Sequence, residues 1–142
     1  MRMIPILCAL SALMCVSAIA SSASPAVAMQ ARYETQAAQE NPAFRGASVE
    51  RGRRFFLTTH GNDWRCASCH TPDPTAAGQH AVTGRKLEPL APSANPARFA
   101  DAAKTEKWFR RNCRDVLGRE CSSAEKADVI AWLIDLRAAG GR

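Results

Sequence analysis

Residues 66–70 read Cys66-Ala67-Ser68-Cys69-His70, a C-x-x-C-H motif in which a histidine directly follows the second cysteine. Two thiols at this spacing can form thioether bonds with the two vinyl groups of one porphyrin, and the adjacent histidine can then ligate the iron. The motif therefore predicts one covalently attached haem c, held by Cys66 and Cys69, with His70 as the proximal axial ligand.

Two other kinds of site also use closely spaced cysteines. A thiol–disulfide oxidoreductase acting through Cys66 and Cys69 requires a strand before the motif and βαβ units, whereas the flanking sequence is helical and proline-rich. A zinc site is favoured less, because Cys113 and Cys121 lack C-x-x-C spacing and no paired histidines follow them. The oxidoreductase is kept as the alternative from another functional class, and it would contain no haem.

The segments around the motif predict a small all-α domain. A helix fits Ser48–Thr58, a second begins at Asp101 and runs to about Asn112, and a third begins at the capping box of Ser122. Residues 71–98 are proline-rich and predict a long irregular loop that wraps around the haem. No segment alternates between apolar and polar residues as an amphipathic strand does.

The order of these helices fits a class I cytochrome c-like fold wrapped around one covalently attached haem. By resemblance, that fold crosses its first and last helices near a glycine and an aromatic residue. Gly52 and Phe56 match the first helix, and Trp132 matches the last. A glycine inside a helix costs about 1 kcal/mol relative to alanine, so Gly52 indicates a close approach of two backbones.

The N-terminus predicts export. Arg2 precedes an apolar run, and Ala26-Val27-Ala28 offers a cleavage site, so residues 1–28 are interpreted as a signal peptide cleaved near Ala28. A transmembrane anchor is the alternative, but the apolar run of about 17 residues is near the minimum for a membrane span and is followed by small residues instead of a basic flank. The mature protein is therefore expected in the periplasm without a transmembrane helix. Residues 29–46 are interpreted as a flexible N-terminal arm and residues 47–142 as the cytochrome c domain.

The sixth position on the iron has no methionine to fill it. Electron-transfer cytochromes of this fold usually use a methionine sulfur, but none follows Met29, which lies at the predicted mature terminus. A carboxamide and an open site are candidates, as are the histidines and lysines His60, His80, Lys86, Lys104, Lys107 and Lys126. A low-spin electron-transfer cytochrome c with His80 as sixth ligand is therefore kept as an alternative.

Four segments closely resemble the sphaeroides haem protein family: Thr83–Lys86, Pro89–Pro96, Lys107–Cys113 and Val116–Cys121. The resemblance covers roughly residues 45–138. Members are small c-type cytochromes whose sixth ligand is an asparagine directly before a disulfide cysteine, and their reduced iron binds oxygen or nitric oxide. The resemblance implies Asn112 as the axial ligand, a Cys113–Cys121 disulfide, and a dihaem cytochrome c as electron donor.

The chemistry of a carboxamide supports that assignment. On a helix Asn112 lies one turn from Trp108, so both would face the haem and Trp108 would line the distal pocket. A hard, neutral oxygen donor suits ferric iron better than ferrous iron, so reduction should release Asn112 and open a position for oxygen, nitric oxide or carbon monoxide. The expected protein is a periplasmic monohaem cytochrome c that accepts electrons and, when reduced, binds a small diatomic ligand.

No catalytic residues are assigned, because no acid–base pair suited to peroxide cleavage lies near Asn112 in the sequence. The protein is interpreted as an electron-transfer and gas-binding haem protein, whose only enzymatic activity would be slow reduction of oxygen or nitric oxide.

The formal net charge of the chain is +6, and four basic residues recur at helical spacing and form a stripe, with Arg110 beside it: Lys104, Lys107, Arg111 and Arg114. The stripe is interpreted either as a solvated helix face or as a docking surface for an acidic redox protein, of which the dihaem cytochrome c is one. A third interpretation is that some of these side chains pair with the negatively charged haem propionates. An exported protein of such modest charge is not expected to bind nucleic acid.

Overall fold

The structure, a computed structural model, describes residues 23–137. Within them the chain forms five helices and one short hairpin: α1 (Pro25–Glu40), α2 (Val49–Leu57), α3 (Ala67–His70), β1 (Gly78–Gln79), β2 (Lys86–Leu87), α4 (Ala102–Leu117) and α5 (Ser123–Asp135). The strands pair antiparallel, with Gly78 opposite Leu87. The all-α prediction is confirmed. Two-residue strands are too short to leave an alternating pattern, so the sequence did not reveal the hairpin.

Helix α5 forms the centre of the domain, and α1 and α2 pack along it. Its interior is apolar on nearly all sides, and Ile130 and Leu133 are fully buried. The predicted capping box begins the helix: the Ser122 hydroxyl accepts a hydrogen bond from the Glu125 N–H, and the Glu125 carboxylate accepts one from the Ser122 N–H. A helix buried all round is expected at the core of a domain, since its neighbours cover every face.

Helix α2 crosses α5 at the glycine that the sequence singled out. A Cβ added at Gly52 would collide with the backbone carbonyl of Asp128, so only glycine permits this approach. One turn later, the rings of Phe56 and Trp132 pack with their centroids 4.9 Å apart. The predicted crossing near a glycine and an aromatic residue is confirmed.

The start of α2 is fastened to α5 by a buried carboxylate. Asp128 accepts hydrogen bonds from the Ser48 backbone N–H at 2.7 Å and from the Arg51 guanidinium at 2.7 Å. Ser48 also caps α2, because its hydroxyl accepts from the Arg51 N–H. These bonds pair the buried charge and fix where α2 begins.

The interpretation of residues 29–46 as a flexible arm is wrong for most of that segment. Residues 25–40 form α1, which packs along α5 and buries Ala26, Met29, Tyr33 and Ala37. These four positions repeat at helical spacing, but two of them are alanine, and the stripe is therefore a weak hydrophobic signal. At its C-terminal end the helix is held by Glu40, which accepts a hydrogen bond from the Ser123 hydroxyl at 2.6 Å.

Residues 1–22, which make up most of the predicted signal peptide, lie outside the described residues. Ser24 caps α1, Pro25 occupies its first turn and Ala26 is buried, so cleavage near Ala28 would remove the first turn of the helix. The cleavage position stays a prediction. Between residues 23 and 137 no helix is both long and apolar enough to cross a membrane.

Replacing Gly52 tests the crossing of α2 and α5. Gly52→Ala is expected to lower the free energy of unfolding by about 2 kcal/mol, because the added methyl group forces the two backbones apart. Chemical denaturation monitored by circular dichroism measures the loss. Arg53→Ala, at an exposed position of the same helix, is the control and should change stability by less than about 0.5 kcal/mol. Equal stabilities of the two variants would contradict the close approach.

Candidate functional site

The C-x-x-C-H motif forms the single turn of α3. Cys66 lies just before the helix, and its carbonyl accepts hydrogen bonds from the backbone N–H groups of Cys69 at 3.3 Å and His70 at 3.1 Å. The turn brings both thiols and the imidazole together on one short segment. Ala67 is buried beneath it and anchors the turn to the core.

The two thiols of α3 are free and the environment of Cys66 disfavours its ionised form. Of the four cysteines among the described residues, Cys113 and Cys121 are joined in a disulfide, whereas Cys66 and Cys69 are not. Burial raises the pKa of the Cys66 thiol to about 12. A thiol–disulfide oxidoreductase depends on a thiolate of lowered pKa, so this environment does not favour that alternative.

The imidazole of His70 lies half-buried against the aromatic core. Its ring centroid is 6.3 Å from that of Phe56, which in turn packs on Trp132. Burial, together with the charges of Arg98 and His80, lowers the pKa of His70 to about 4. The imidazole is therefore neutral at physiological pH, which is the form that ligates a metal. Two free thiols and one neutral imidazole on a single turn fit a covalently attached haem c.

The hairpin packs directly on this turn. A Cβ at Gly78 would collide with the Cys69 carbonyl, so glycine is needed where β1 approaches α3. Two residues after β1, the backbone N–H of Ala81 donates to the Cys69 sulfur at 3.3 Å. The predicted loop over residues 71–98 is thus irregular apart from a hairpin that buttresses the motif.

Arg98, whose charge lies close to His70, is a residue for which nothing in the sequence indicated a role. Its half-buried guanidinium donates hydrogen bonds to the carbonyl of Pro89 at 2.8 Å and to that of Glu88 at 3.2 Å. Burial lowers the pKa of Arg98, and the nearby Glu88 opposes that effect. The side chain therefore fastens the second half of the loop while placing a positive charge close to His70.

The two histidines considered as sixth ligands are both engaged in local structure. His80 belongs to the turn of the hairpin, where its Nδ1 accepts hydrogen bonds from the N–H groups of Val82 and Thr83, both at 3.3 Å. This places His80 on the hairpin that packs against α3, beside the predicted proximal ligand. The Nε2 of His60 lies 2.8 Å from the Phe55 carbonyl, which can only accept, so Nε2 is the donor.

Helix α4 carries the predicted distal residues on an exposed face. Asp101 caps the helix as predicted, but α4 continues to Leu117, beyond the predicted end near Asn112, and stops at Gly118 in the left-handed conformation. Trp108 is 39% exposed, and Asn112 one turn later is also exposed. Within residues 23–137 no hydrogen bond engages the Asn112 carboxamide and none joins it to His70.

The other side of α4 faces the protein. Cys113 is buried and forms the disulfide with Cys121, whose Cα lies 5.6 Å away, just before α5. The side-chain amide of Asn62 donates to the carbonyls of Arg114 at 3.2 Å and Asp115 at 3.1 Å, which satisfies groups at the C-terminal end of α4. The pairing of Cys113 with Cys121 that the resemblance implied is present in the structure.

The basic stripe lies on the exposed side of the same helix. The five side chains are exposed, namely Lys104, Lys107, Arg110, Arg111 and Arg114. Lys107 and Arg111 lie over the ring of Trp108, at 5.9 Å and 5.7 Å from its centroid. The face that bears Trp108 and Asn112 is therefore positively charged.

Comparison with known proteins gives matches over most of the chain. The family described as "Domain of unknown function (DUF1924)" matches residues 42–133. The cytochrome c-type protein SHP of Cereibacter sphaeroides is 45% identical over 128 residues, which is 87% of this chain and 93% of that protein. Cytochrome c'' of Methylophilus methylotrophus is 41% identical over 107 residues, or 72% of this chain and 74% of that protein.

Solved structures show the same similarity. The structure of oxidised SHP, an oxygen-binding cytochrome c, matches with a TM-score of 0.69 and 43% identity, covering 78% of this chain and 96% of that one. The crystal structure of oxidised cytochrome c'' from Methylophilus methylotrophus matches with a TM-score of 0.70 and 38% identity, covering 78% of this chain and 93% of that one.

Removing the disulfide tests its contribution to the stability of α4. The double variant Cys113→Ser/Cys121→Ser is expected to lose roughly 2–3 kcal/mol of unfolding free energy, because the bridge closes a short loop that restricts the unfolded chain. Denaturation with and without a reductant checks this result. Reductant should bring the wild-type protein to the stability of the variant and leave the variant unchanged. A variant as stable as oxidised wild type would show that the bridge contributes nothing.

Proposed function

Because this chain belongs to the sphaeroides haem protein family of c-type cytochromes, we propose that it is a periplasmic electron acceptor that binds a small diatomic ligand when reduced. The chain carries one covalently attached haem c, as c-type cytochromes do. The observation that carries the proposal is the position of Asn112 on α4: its carboxamide is exposed one turn from Trp108, beside the buried Cys113.

The proximal side of the proposed site is built from α3. Cys66 and Cys69 would attach the haem, and His70 would be its proximal ligand. The contact of His70 with Phe56 and the hairpin behind Cys69 keep this side rigid. The pKa of His70, lowered by burial, keeps the ring neutral and able to coordinate. The bound haem supplies an iron that changes oxidation state by one electron.

The distal side is built from α4. Asn112 is the proposed sixth ligand of the oxidised protein, through its side-chain oxygen. A neutral, hard oxygen donor prefers ferric to ferrous iron, so Asn112 would be held in the oxidised protein and released on reduction. Trp108, with Lys107 and Arg111 over its ring, would border the position that Asn112 leaves. The relative SHP is described as an oxygen-binding cytochrome c, which supports a diatomic ligand for this chain.

A low-spin electron carrier with His80 as sixth ligand receives no support from the geometry. The Nδ1 of His80 accepts two hydrogen bonds within the hairpin turn, and the hairpin packs on the segment that carries His70. Moving His80 to the opposite side of the haem would break this turn.

The electron donor is proposed to be an acidic redox protein, such as a dihaem cytochrome c, that docks on the basic face of α4. The exposed side chains that form this face are Lys104, Lys107, Arg110, Arg111 and Arg114. Arg114 pairs with Glu120, an exposed ion pair worth little in free energy, so it stays available to a partner. Opposite charges across a docking surface mainly accelerate encounter and orient the partners.

Changing the distal ligand tests the proposed function. Asn112→Met is expected to bind carbon monoxide at least tenfold more weakly in the reduced state, because a thioether sulfur holds ferrous iron firmly and competes with the gas. Carbon monoxide titration of the dithionite-reduced protein, followed by visible absorption, measures the affinity. His80→Ala is the matched control and should bind carbon monoxide as wild type does.

The two variants distinguish the candidate ligands. If Asn112→Met bound carbon monoxide as readily as wild type, Asn112 would not control the position. If His80→Ala instead removed the low-spin spectrum of the oxidised protein, the electron carrier with His80 as ligand would replace the proposal.

Reversing one charge tests the docking face. Lys104→Glu is expected to slow reduction by an acidic redox partner several-fold at low ionic strength, and the difference should fade as salt is added. Stopped-flow mixing with the reduced partner measures the rate. Arg53→Glu makes the same change in net charge on α2 and should slow the reaction less. Equal effects of the two substitutions would show that total charge matters and that α4 does not form the docking face.

A further inference from the structure

Helix α4 is attached to the rest of the domain differently from the other long helices. α1 and α2 pack along α5, whereas α4 has no comparably extended packing against another helix of the described chain. Individual side-chain interactions, called ties below, hold it in place instead. Near its C-terminal end these are the Cys113–Cys121 disulfide and the amide of Asn62. In its N-terminal half the polar tie is Glu106.

Glu106 joins three helices through one carboxylate. Its Oε1 accepts a hydrogen bond from the Lys126 ammonium of α5 at 2.7 Å, and its Oε2 accepts one from the Tyr33 hydroxyl of α1 at 2.8 Å. The Lys126 ammonium also lies over the Tyr33 ring, 5.2 Å from its centroid. Beside this carboxylate, Phe109 packs edge-on against Tyr33, with ring centroids 5.7 Å apart.

Both hydrogen-bond partners of Glu106 are buried, and each depends on this carboxylate to satisfy its polar group. Tyr33 is 2% exposed and Lys126 is 7% exposed, and each would lose its hydrogen bond to the carboxylate if Glu106 moved. Burial alone would raise the pKa of Glu106, but the hydrogen bonds from Lys126 and Tyr33 lower it. The carboxylate is ionised at neutral pH and is held by two directed, charge-assisted hydrogen bonds.

The position of this tie along α4 matters for the proposed distal ligand. Glu106 precedes Asn112 by six residues, which is about 9 Å along a helix at 1.5 Å per residue. The disulfide at Cys113 is next to Asn112 on the other side. Two ties of different kinds therefore flank the face that carries Trp108 and Asn112. Without the bonds of Glu106, the helix could pivot about the Cys113–Cys121 disulfide.

We propose that Glu106 is a positioning residue for the distal ligand: its bonds to Tyr33 and Lys126 fix α4 so that Asn112 reaches the haem iron in the oxidised protein. The inference rests on the proposed function, since it takes Asn112 as the sixth ligand. Glu106 lies on the protein-facing side of α4 and acts through the helix, without contact to the iron.

The test weakens the tie and measures how strongly Asn112 holds its position. In the oxidised holoprotein Glu106→Gln is expected to raise the high-spin fraction of the visible spectrum. It should also increase the affinity for added imidazole roughly three- to tenfold, the size of couplings within one hydrogen-bond network. Carbon monoxide affinity of the reduced protein should stay within about twofold of wild type, because Asn112 is then already released. Imidazole is used above neutral pH, where it is uncharged.

Two further variants separate positioning from stability. Glu120→Gln removes a carboxylate that pairs with Arg114 of α4 and, within residues 23–137, forms no side-chain hydrogen bond with α1 or α5, so it should leave imidazole affinity unchanged. Glu106→Leu/Lys126→Met removes both charges, so no unpaired ammonium stays buried and stability should recover relative to Glu106→Gln. Its imidazole affinity should remain raised, because the directed bonds are absent. The outer side of Glu106 borders a polar cleft of about 500 Å³, so water can reach the site in Glu106→Gln and the variant should fold.

Two outcomes overturn the inference. In the first, Glu106→Gln lowers the melting temperature while imidazole affinity and spin state match wild type. In the second, Glu106→Gln raises imidazole affinity equally in an Asn112→Ala background, which would show that it does not act through Asn112. Failure of the proposed function gives a different result: Asn112→Ala itself would then bind imidazole as wild type does.

Discussion

The close approach of α2 to α5 at Gly52 is the constraint on which the rest of the structure depends. Because no side chain separates the two backbones there, Phe56 reaches Trp132 one turn later. The aromatic pair forms the surface on which His70 rests. Asp128 fixes the same crossing by pairing with Arg51, so the proximal side of the haem site is connected to the most buried helix of the domain.

The two sides of the proposed site are held in unlike ways. The proximal side rests on apolar core packing, which is dense and does not deform easily. The distal side rests on α4, which is tied by a disulfide near its C-terminal end and by the partly buried charged network around Glu106 in its N-terminal half. A ligand that must stay while the iron is oxidised and leave when it is reduced needs a weak bond and a defined resting position. A firmly held proximal turn and a separately tethered distal helix suit that requirement.

The features of the fold that depend only on neighbouring residues, such as the starts of three helices, were predicted correctly from the sequence. Ser48, Asp101 and Ser122 begin their helices as expected, since capping needs only neighbouring residues. The hydrophobic stripe of α1 was not predicted, because two of its four residues are alanines with small side chains. The Cys113–Cys121 disulfide was inferred only from the family resemblance. The hydrogen bond between Tyr33 and Glu106, which lie 73 positions apart, could not be predicted from a single sequence. Such long-range polar contacts depend on the completed fold, and they include the tie that we assign to the distal ligand.

The visible absorption spectrum of the wild-type protein, recorded before and after dithionite under argon, tests the central claim most directly. The account predicts a low-spin oxidised form that becomes five-coordinate and high-spin on reduction, as Asn112 leaves. A reduced protein whose sharp α and β bands persist, unchanged when carbon monoxide is added, would contradict it. Such a spectrum would mean a permanent pair of strong axial ligands and a protein that only relays electrons.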